Sequence, residues 1–213
     1  MPFSILPQRM PQQVADAIGR TVGGLGVTPN MISLFGFGGN LLAAYLITQE
    51  QLLAAGLVYL VFSALDMVDG AVARAMGLVS KFGAVFDAVL DRASEALVIA
   101  ACAWYFVDRG EQVQAGVAYA GLFGSVAVSY MRARAEVNGL SMREGLFRRQ
   151  ERVALLSLGL LFNGLTVVIW AMAALSNFTA LQRFVLITRR LRTMDSEARQ
   201  ATPGGPPQSS GPR

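Results

Sequence analysis

Long apolar runs are the feature that most constrains how this chain can fold. A helix needs about 20 apolar residues to cross a hydrocarbon layer of about 30 Å. Charged residues make up only 15% of the chain, whereas an average soluble domain carries about 25%. The sequence therefore predicts an all-α integral membrane bundle of six transmembrane helices. The predicted spans are 29–48, 52–76, 82–107, 112–136, 152–173 and 175–192.

The two ends of the chain differ from this apolar part. Residues 3–22 mix apolar side chains with Arg9, Asp16 and Arg20, which predicts an N-terminal interfacial amphipathic helix lying on the membrane. No signal peptide is predicted, because the start lacks a long apolar core followed by a cleavage site. Proline, glycine and serine dominate the other end. We therefore predict a membrane domain over 1–194 and a disordered tail over 195–213.

The placement of arginine predicts how the bundle is oriented. If the N-terminus is cytoplasmic and each span crosses once, the connections near 49–51, 108–111 and 174–177 lie outside. Of the 18 lysine and arginine residues, only Arg109 falls in these connections. Basic residues are enriched in cytoplasmic loops. We therefore predict a multi-pass protein of the cell membrane with both termini in the cytoplasm.

Two residue types are almost absent, and this limits the chemistry. The chain has no histidine and one cysteine, Cys102. A disulfide framework within the chain and a cysteine-rich zinc site are therefore excluded. Imidazole cannot bind a metal or act as a general base here, so another residue type must do so.

Four aspartates interrupt the second and third spans. Asp66 and Asp69 are three residues apart, and Asp87 and Asp91 are four apart, so each pair lies on one helix face. The short connection at 77–81 predicts that the two helices are antiparallel neighbours. Both pairs then lie near the cytoplasmic ends of their spans. Ionisable residues inside a span are costly and usually functional.

A cluster of this kind predicts a site for divalent metal ions. Salt bridges to Arg74 and Arg92 are the structural alternative, but two guanidinium groups leave a surplus of negative charge. Clustered carboxylates repel each other unless a cation lies between them. Mg²⁺ prefers oxygen ligands, so we predict two Mg²⁺ ions, with Mn²⁺ as an alternative. The small residues Gly70, Ala73 and Gly83 either let a ligand approach or serve helix packing.

Residues 66–91 combine these features in one pattern. They read D-x-x-D-G-x-x-A-R and, after residues 75–82, G-x-x-x-D-x-x-x-D, as DMVDGAVAR and GAVFDAVLD. This pattern resembles that of the CDP-alcohol phosphotransferase family. The resemblance implies transfer of a phosphatidyl group from CDP-diacylglycerol to an alcohol, with release of CMP. It also implies a homodimer in contact with membrane lipids.

The resemblance assigns roles to individual residues. The metal ligands of the family match the four aspartates. The position of Asp91 is also the general base, which takes a proton from the acceptor hydroxyl. The nucleotide would be held near the metal, with two further candidates in the T-P-N sequence that begins the first span. The implied nucleotide-binding residues are Asp66, Asp69, Gly70, Ala73, Arg74, Pro29 and Asn30.

A basic cluster between the fourth and fifth spans bears on the acceptor. Lipid headgroups and the positive-inside rule account for Arg143, Arg148 and Arg149. The remaining members predict a phosphate pocket. Arg152 lies near the start of span five, where a cation is unfavourable unless it helps to bind an anion, and two arginines at the end of span four lie on the same side. These predicted phosphate-binding residues are Arg132, Arg134 and Arg152.

The sequence around these arginines resembles one branch of the family. SYMRARAEVNGL at 129–140 and ERVALL at 151–156 resemble the enzymes that use inositol phosphate. The resemblance implies that inositol phosphate is the acceptor and phosphatidylinositol phosphate the product. Glycerol phosphate is the alternative acceptor.

Other protein classes fit the sequence less well. A divalent-cation transporter would spread its acids through the membrane, and a membrane prenyltransferase would carry a second aspartate-rich motif, which is missing here. Nucleic acid is not expected as a partner. The glycines of the fourth span, Gly116, Gly121 and Gly124, predict close helix packing, either in a homodimer or within the chain.

Overall fold

The structure is a computed structural model that describes residues 28–141, 145 and 147–201. Within these ranges the side chains of 66–71, 75 and 199–201 are not part of the description. The described residues form helices and connections without a strand, as predicted for an all-α protein. The helices are α1 (Pro29–Thr48), α2 (Leu52–Ala75), α3 (Lys81–Asp108), α4 (Gln112–Val137), α5 (Arg149–Leu161) and α6 (Leu165–Ala201).

Polar caps set two helix starts that matter for the site. Thr28 Oγ1 accepts a hydrogen bond from the Met31 backbone N–H at 3.4 Å, and proline follows it at the first helical position. Ser80 Oγ accepts from the Gly83 N–H at 2.9 Å and caps α3. Between α2 and α3, Gly77 has a φ of +66°, which glycine adopts without strain.

The helices pack around one apolar core. α1 packs against α2 and α3, α3 against α4, α2 against α5, and α6 against both α4 and α5. The core includes Tyr59, Cys102, Phe106 and Ile169, each at most 1% exposed. Many other large apolar side chains lie on the outer surface, as expected for a bundle surrounded by lipid.

Length and composition identify three candidate membrane spans in the described part of the chain. They are α1, α4 and the Leu165–Ala198 part of α6, and Leu52–Leu65 of α2 is a shorter apolar stretch. α5 has 13 residues, about 20 Å at 1.5 Å per residue. The protein is therefore a helical membrane protein in which α5 is shorter than the predicted fifth span.

The contacts at the two ends of α5 show how far this helix reaches through the bundle. Arg149, the first residue of α5, contacts Asp91 of α3, which lies about 15 Å along α3 from its start at 1.5 Å per residue. At the other end of the bundle, Asn163, just after α5, lines a cavity with Glu50 and Arg109. α5 therefore runs only from the depth of Asp91 to that end. We call the ends the site end, at Asn30, and the distal end, at Arg109.

The predicted connection at 174–177 is wrong. The chain turns at Asn163, whose φ is +53°, a left-handed conformation that asparagine tolerates better than most residues. α6 is continuous through Asn177. The predicted spans 152–173 and 175–192 are thus replaced by a short α5 and a long α6.

Polar side chains in α6 caused this error. Asn177 Nδ2 donates hydrogen bonds to the backbone oxygens of Ala120 at 2.9 Å and Ala173 at 2.8 Å. Arg183, which is 4% exposed, donates from Nη1 to the Val128 oxygen at 2.8 Å. These groups tie α6 to α4, so they do not need a connection exposed to water.

The predicted terminal segments are only partly described. α6 continues through Ala201, so the helix extends past residue 195, where the tail was predicted to begin. The predicted amphipathic helix at 3–22 and residues 202–213 lie outside the described residues. Arg143 lies outside them as well.

The glycines of α4 serve packing within the chain. A Cβ atom at Gly124 would lie 2.8 Å from the backbone nitrogen of Asn177, and one at Gly121 would lie 3.5 Å from that of Ala173. At Gly116 nothing lies within 4 Å of such an atom. These glycines were predicted to pack either in a homodimer or within the chain. Gly121 and Gly124 pack within the chain, against α6.

Candidate active site

A cavity of about 280 Å³ lies where α1, α2 and α3 meet at the site end. It brings together predicted nucleotide-binding residues from α1 and α2 and the predicted metal ligand Asp87 from α3. The connection between α2 and α3 completes its wall. The lining residues are Pro29, Asn30, Ser33, Ala73, Arg74, Leu78, Val79, Ser80, Gly83, Ala84 and Asp87.

Gly83 keeps this cavity open between α1 and α3. A Cβ atom there would lie 3.0 Å from Ser80 Oγ and 3.2 Å from Asn30 Oδ1, tighter than ordinary van der Waals contact. The absence of a side chain lets the start of α3 approach the amide of Asn30. The small residues were predicted either to let a ligand approach or to serve helix packing. Gly83 does both, because it packs against α1 and leaves access to the cavity.

Asp91 lies one helical turn beyond Asp87 on α3. Its carboxylate, 14% exposed, contacts Arg149 Nη2 at 3.0 Å and Arg92 Nη1 at 3.5 Å. Arg92 Nη1 also donates to the Ala88 backbone oxygen at 3.2 Å. The charge of Asp91 is thus balanced by two guanidinium groups from different helices.

The contact between Arg149 and Asp91 was not predicted from the sequence. The positive-inside rule had accounted for Arg149 there. One signal could have found it. Arg149 precedes Arg152 by three residues, so both lie on one face of α5. Likewise Asp91 precedes Glu95 by four residues on α3. Two arginines on one face of α5 and two acids on one face of α3 could have suggested two ion pairs between these helices.

Arg152 lies buried next to Glu95. The two side chains form a forked ion pair, with Arg152 Nε donating to Oε1 of Glu95 and Nη2 donating to Oε2 at 2.9 Å. Arg152 Nη1 also donates to the Phe147 backbone oxygen at 3.2 Å. Arg152 is 1% exposed and Glu95 3%. The guanidinium is therefore enclosed and does not reach the surface of the bundle.

Arg132 and Arg134 lie in a different setting, exposed in the last turns of α4. Arg132 Nε donates to Glu136 Oε1 at 2.8 Å, an ion pair within one helix. The structure thus places two of the three predicted phosphate-binding arginines on the surface and the third inside the bundle.

Three predicted site residues lie outside the described side chains. They are Asp66, Asp69 and Gly70, all in α2. Among the side chains that the structure does describe, no group of three or more carboxylate, histidine or cysteine residues could hold a metal. Asp87 and Asp91 are the two described members of the predicted metal site.

The fold and this site match a known family. The CDP-alcohol phosphatidyltransferase family matches residues 26–189, which cover all the helix ends that form the site. The chain belongs to this family of phospholipid-synthesising transferases. The family and the enzyme class predicted from the sequence are thereby confirmed.

Individual relatives narrow the comparison. The chain is 37% identical over 181 residues to the archaetidylinositol phosphate synthase of Pyrococcus horikoshii, covering 84% of this chain and 94% of that one. It is 38% identical over 188 residues to the phosphatidylinositol phosphate synthase of Corynebacterium glutamicum, covering 84% and 86%.

Solved structures show the same fold. The phosphatidylinositol phosphate synthase of Mycobacterium tuberculosis with CDP-DAG bound matches with a TM-score of 0.77 and 29% identity, over 82% of this chain and 94% of that one. The same enzyme in complex with manganese and citrate matches with a TM-score of 0.74 and 30% identity, over 81% and 88%.

Proposed function

We propose that this protein transfers the phosphatidyl group of CDP-diacylglycerol to inositol phosphate, giving phosphatidylinositol phosphate and CMP. The cavity at the site end carries this proposal, because it collects Asn30, Arg74 and Asp87 from three helices. The similarity to enzymes named for inositol phosphate products supports the choice of acceptor.

The lining of the cavity suits a nucleotide diphosphate. Arg74 supplies a guanidinium, which forms strong charge-assisted hydrogen bonds to phosphate. Asn30 supplies an amide, and the small residues Ala73 and Gly83 leave room for the ligand. We assign the nucleotide to this cavity, with Pro29, Asp66, Asp69 and Gly70 as further contacts.

The carboxylates at this site fit divalent ions. Asp87 lines the cavity and Asp91 follows one turn later, where two guanidinium groups already balance its charge. Such oxygen donors suit Mg²⁺ or Mn²⁺, and we propose two ions held by Asp66, Asp69, Asp87 and Asp91. Bound ions would stabilise negative charge on the diphosphate.

Asp91 is proposed to be the general base. Its carboxylate accepts the proton of the acceptor hydroxyl, and the hydroxyl oxygen then forms a bond to the β-phosphorus of the CDP-lipid. The bond from that phosphorus to the oxygen of CMP breaks, and CMP leaves with the electron pair. Histidine, the most common general base, is absent from the chain.

The acceptor phosphate is assigned to Arg132 and Arg134, which are exposed at the end of α4. Arg152 was predicted to join them. Its guanidinium would first have to leave Glu95, and exposing that buried carboxylate without a partner is strongly unfavourable. We therefore assign Arg152 a supporting role behind the pocket.

The placement in the membrane follows from charge. We propose that all six helices belong to the membrane part of a homodimer, with both termini and the site end in the cytoplasm. The supporting observation is that Arg109 is the basic residue at the distal end, where it pairs with Glu50 at 3.2 Å.

An acceptor panel tests the function. Purified protein with CDP-diacylglycerol and Mg²⁺ would be offered inositol phosphate, glycerol phosphate, serine and free inositol, and the release of CMP measured. We expect fast release with inositol phosphate alone and none after chelation of the metal. Faster release with glycerol phosphate would overturn the acceptor assignment while leaving the family chemistry intact.

A further inference from the structure

We propose that Arg149 is a positioning residue for Asp91: its guanidinium holds the carboxylate until a divalent ion displaces it, and the buried pair of Glu95 and Arg152 fixes Arg149 in place. The inference rests on the proposed metal site at Asp91. It assigns a role to contacts between α3 and α5 that the proposed reaction does not itself use.

The two ion pairs form successive rungs between α3 and α5. In the first rung Arg149 Nη2 lies 3.0 Å from Asp91 Oδ1. In the second rung Arg152 Nη2 lies 2.9 Å from Glu95 Oε2. Residues three and four apart lie on one helix face, so the position of the second rung determines where Arg149 lies relative to Asp91.

The two ion pairs differ in how easily they can be broken. Both side chains of the second rung are at most 4% exposed, and Arg152 also donates a hydrogen bond to the Phe147 backbone oxygen. Breaking such a buried pair is strongly unfavourable. In the first rung the side chains are 24% and 14% exposed, and water can replace part of what is lost. The second rung is therefore the fixed one.

A divalent ion and a guanidinium repel each other at contact distance. An ion that binds the oxygen of Asp91 that Arg149 contacts is therefore favoured when Arg149 moves away. Until then the guanidinium keeps the carboxylate in a defined position and reduces its repulsion of neighbouring acids. Arg149 and the ion thus compete for Asp91.

Mn²⁺ binding by the full chain in detergent, without substrate, tests this competition. Free Mn²⁺ can be followed by electron paramagnetic resonance. We expect Arg149→Gln to lower the Mn²⁺ Kd about twofold to fivefold, the factor expected when one partly exposed ion pair no longer competes. Arg109→Gln removes the same charge at the distal end and should leave the Kd unchanged. An unchanged or higher Kd in Arg149→Gln would overturn the proposal.

Two conservative variants extend the test. Arg149→Lys keeps the charge but shortens the reach to Asp91, so the Mn²⁺ Kd should also fall, by a smaller factor. It replaces Arg149→Gln if that variant does not fold, and a Kd equal to that of the wild type would then refute the idea. Arg152→Lys retains the charge but loses the forked ion pair with Glu95. It should therefore also lower the Mn²⁺ Kd.

The wild-type measurement separates this proposal from the proposed function. If the wild type binds no Mn²⁺, the metal site and the role of Arg149 both fall. If the wild type binds Mn²⁺ and the Arg149 variants bind it equally well, only the role of Arg149 falls.

Discussion

Arginines close together in this sequence lie in very different environments. Arg134 is exposed at the end of α4, whereas Arg152 is 1% exposed and forms a fork with Glu95. An exposed guanidinium can bind a substrate anion without losing a partner. A buried one holds its carboxylate in place, and its removal leaves a charge inside the bundle.

Substitution by glutamine should separate these two roles. Arg134→Gln should raise the KM for inositol phosphate about tenfold to a hundredfold, because a hydrogen bond to a charged group contributes roughly 1.5–3 kcal/mol. Its thermal midpoint should stay near that of the wild type. Arg152→Gln should destabilise the protein by about 3–5 kcal/mol, because Glu95 would stay buried without a partner.

Acceptor KM from CMP release and thermal unfolding in detergent would measure both effects. An unchanged acceptor KM in Arg134→Gln would show that Arg134 does not bind the acceptor and that its charge only helps to orient the protein in the membrane. An Arg152→Gln protein as stable as the wild type would contradict the buried pair.

At the level of the helices, α4 and α6 show how glycine permits close packing. Gly124 faces the backbone of Asn177, and no side chain fits between them. The same contact region contains the hydrogen bonds of Asn177 and Arg183 to carbonyl oxygens of α4. Small residues and side-chain hydrogen bonds are the usual means of joining membrane helices.

Alanine at Gly124 should therefore be destabilising. Its Cβ would lie 2.8 Å from the Asn177 nitrogen, so α4 and α6 must move apart, and an overpacked contact typically costs about 1–3 kcal/mol. Gly116→Ala is the matched control, since nothing lies within 4 Å of its Cβ and alanine favours a helix. Thermal unfolding of both variants measures the difference. Equal midpoints would contradict the α4–α6 contact.

At the scale of the whole molecule, charge differs between the two ends. The site end carries Arg74, Arg132 and Arg134, whereas Arg109 at the distal end is paired with Glu50 and Glu111 and stacks on Tyr105, 5.2 Å from the ring centre. The phenol of Tyr105 and the carboxylate of Glu50 raise the pKa of Arg109. An arginine is charged at physiological pH even without this shift.

Single cysteines should report the orientation. In a Cys102→Ala background, Gln49→Cys lies at the distal end, and Val137→Cys, where the native side chain is 75% exposed, lies at the site end. In intact cells a membrane-impermeant maleimide should label Cys at 49 and not at 137. In inside-out vesicles the pattern should reverse. Labelling of both positions from one side would refute the proposed topology.

The sequence by itself determined the helical class, most helix ends and the family. These properties are local, because apolar length, a capping residue such as Thr28 or Ser80, and carboxylates three or four apart act within one segment. The pattern over residues 66–91 identified the family for the same reason. Predictions at residues 1–27, including the interfacial helix, and for the side chains of Asp66 and Asp69 lie outside the described part of the structure and stay predictions.

The tertiary structure decided which distant groups meet. It placed Asn30 of α1 in the cavity with Arg74 and Asp87, and it gave Asp91 and Glu95 their partners on α5. It also joined the predicted connection at 174–177 into one helix, because α4 offers carbonyl oxygens to its polar residues. A single segment does not encode which neighbour will satisfy a buried charge or amide, since that depends on how whole helices pack.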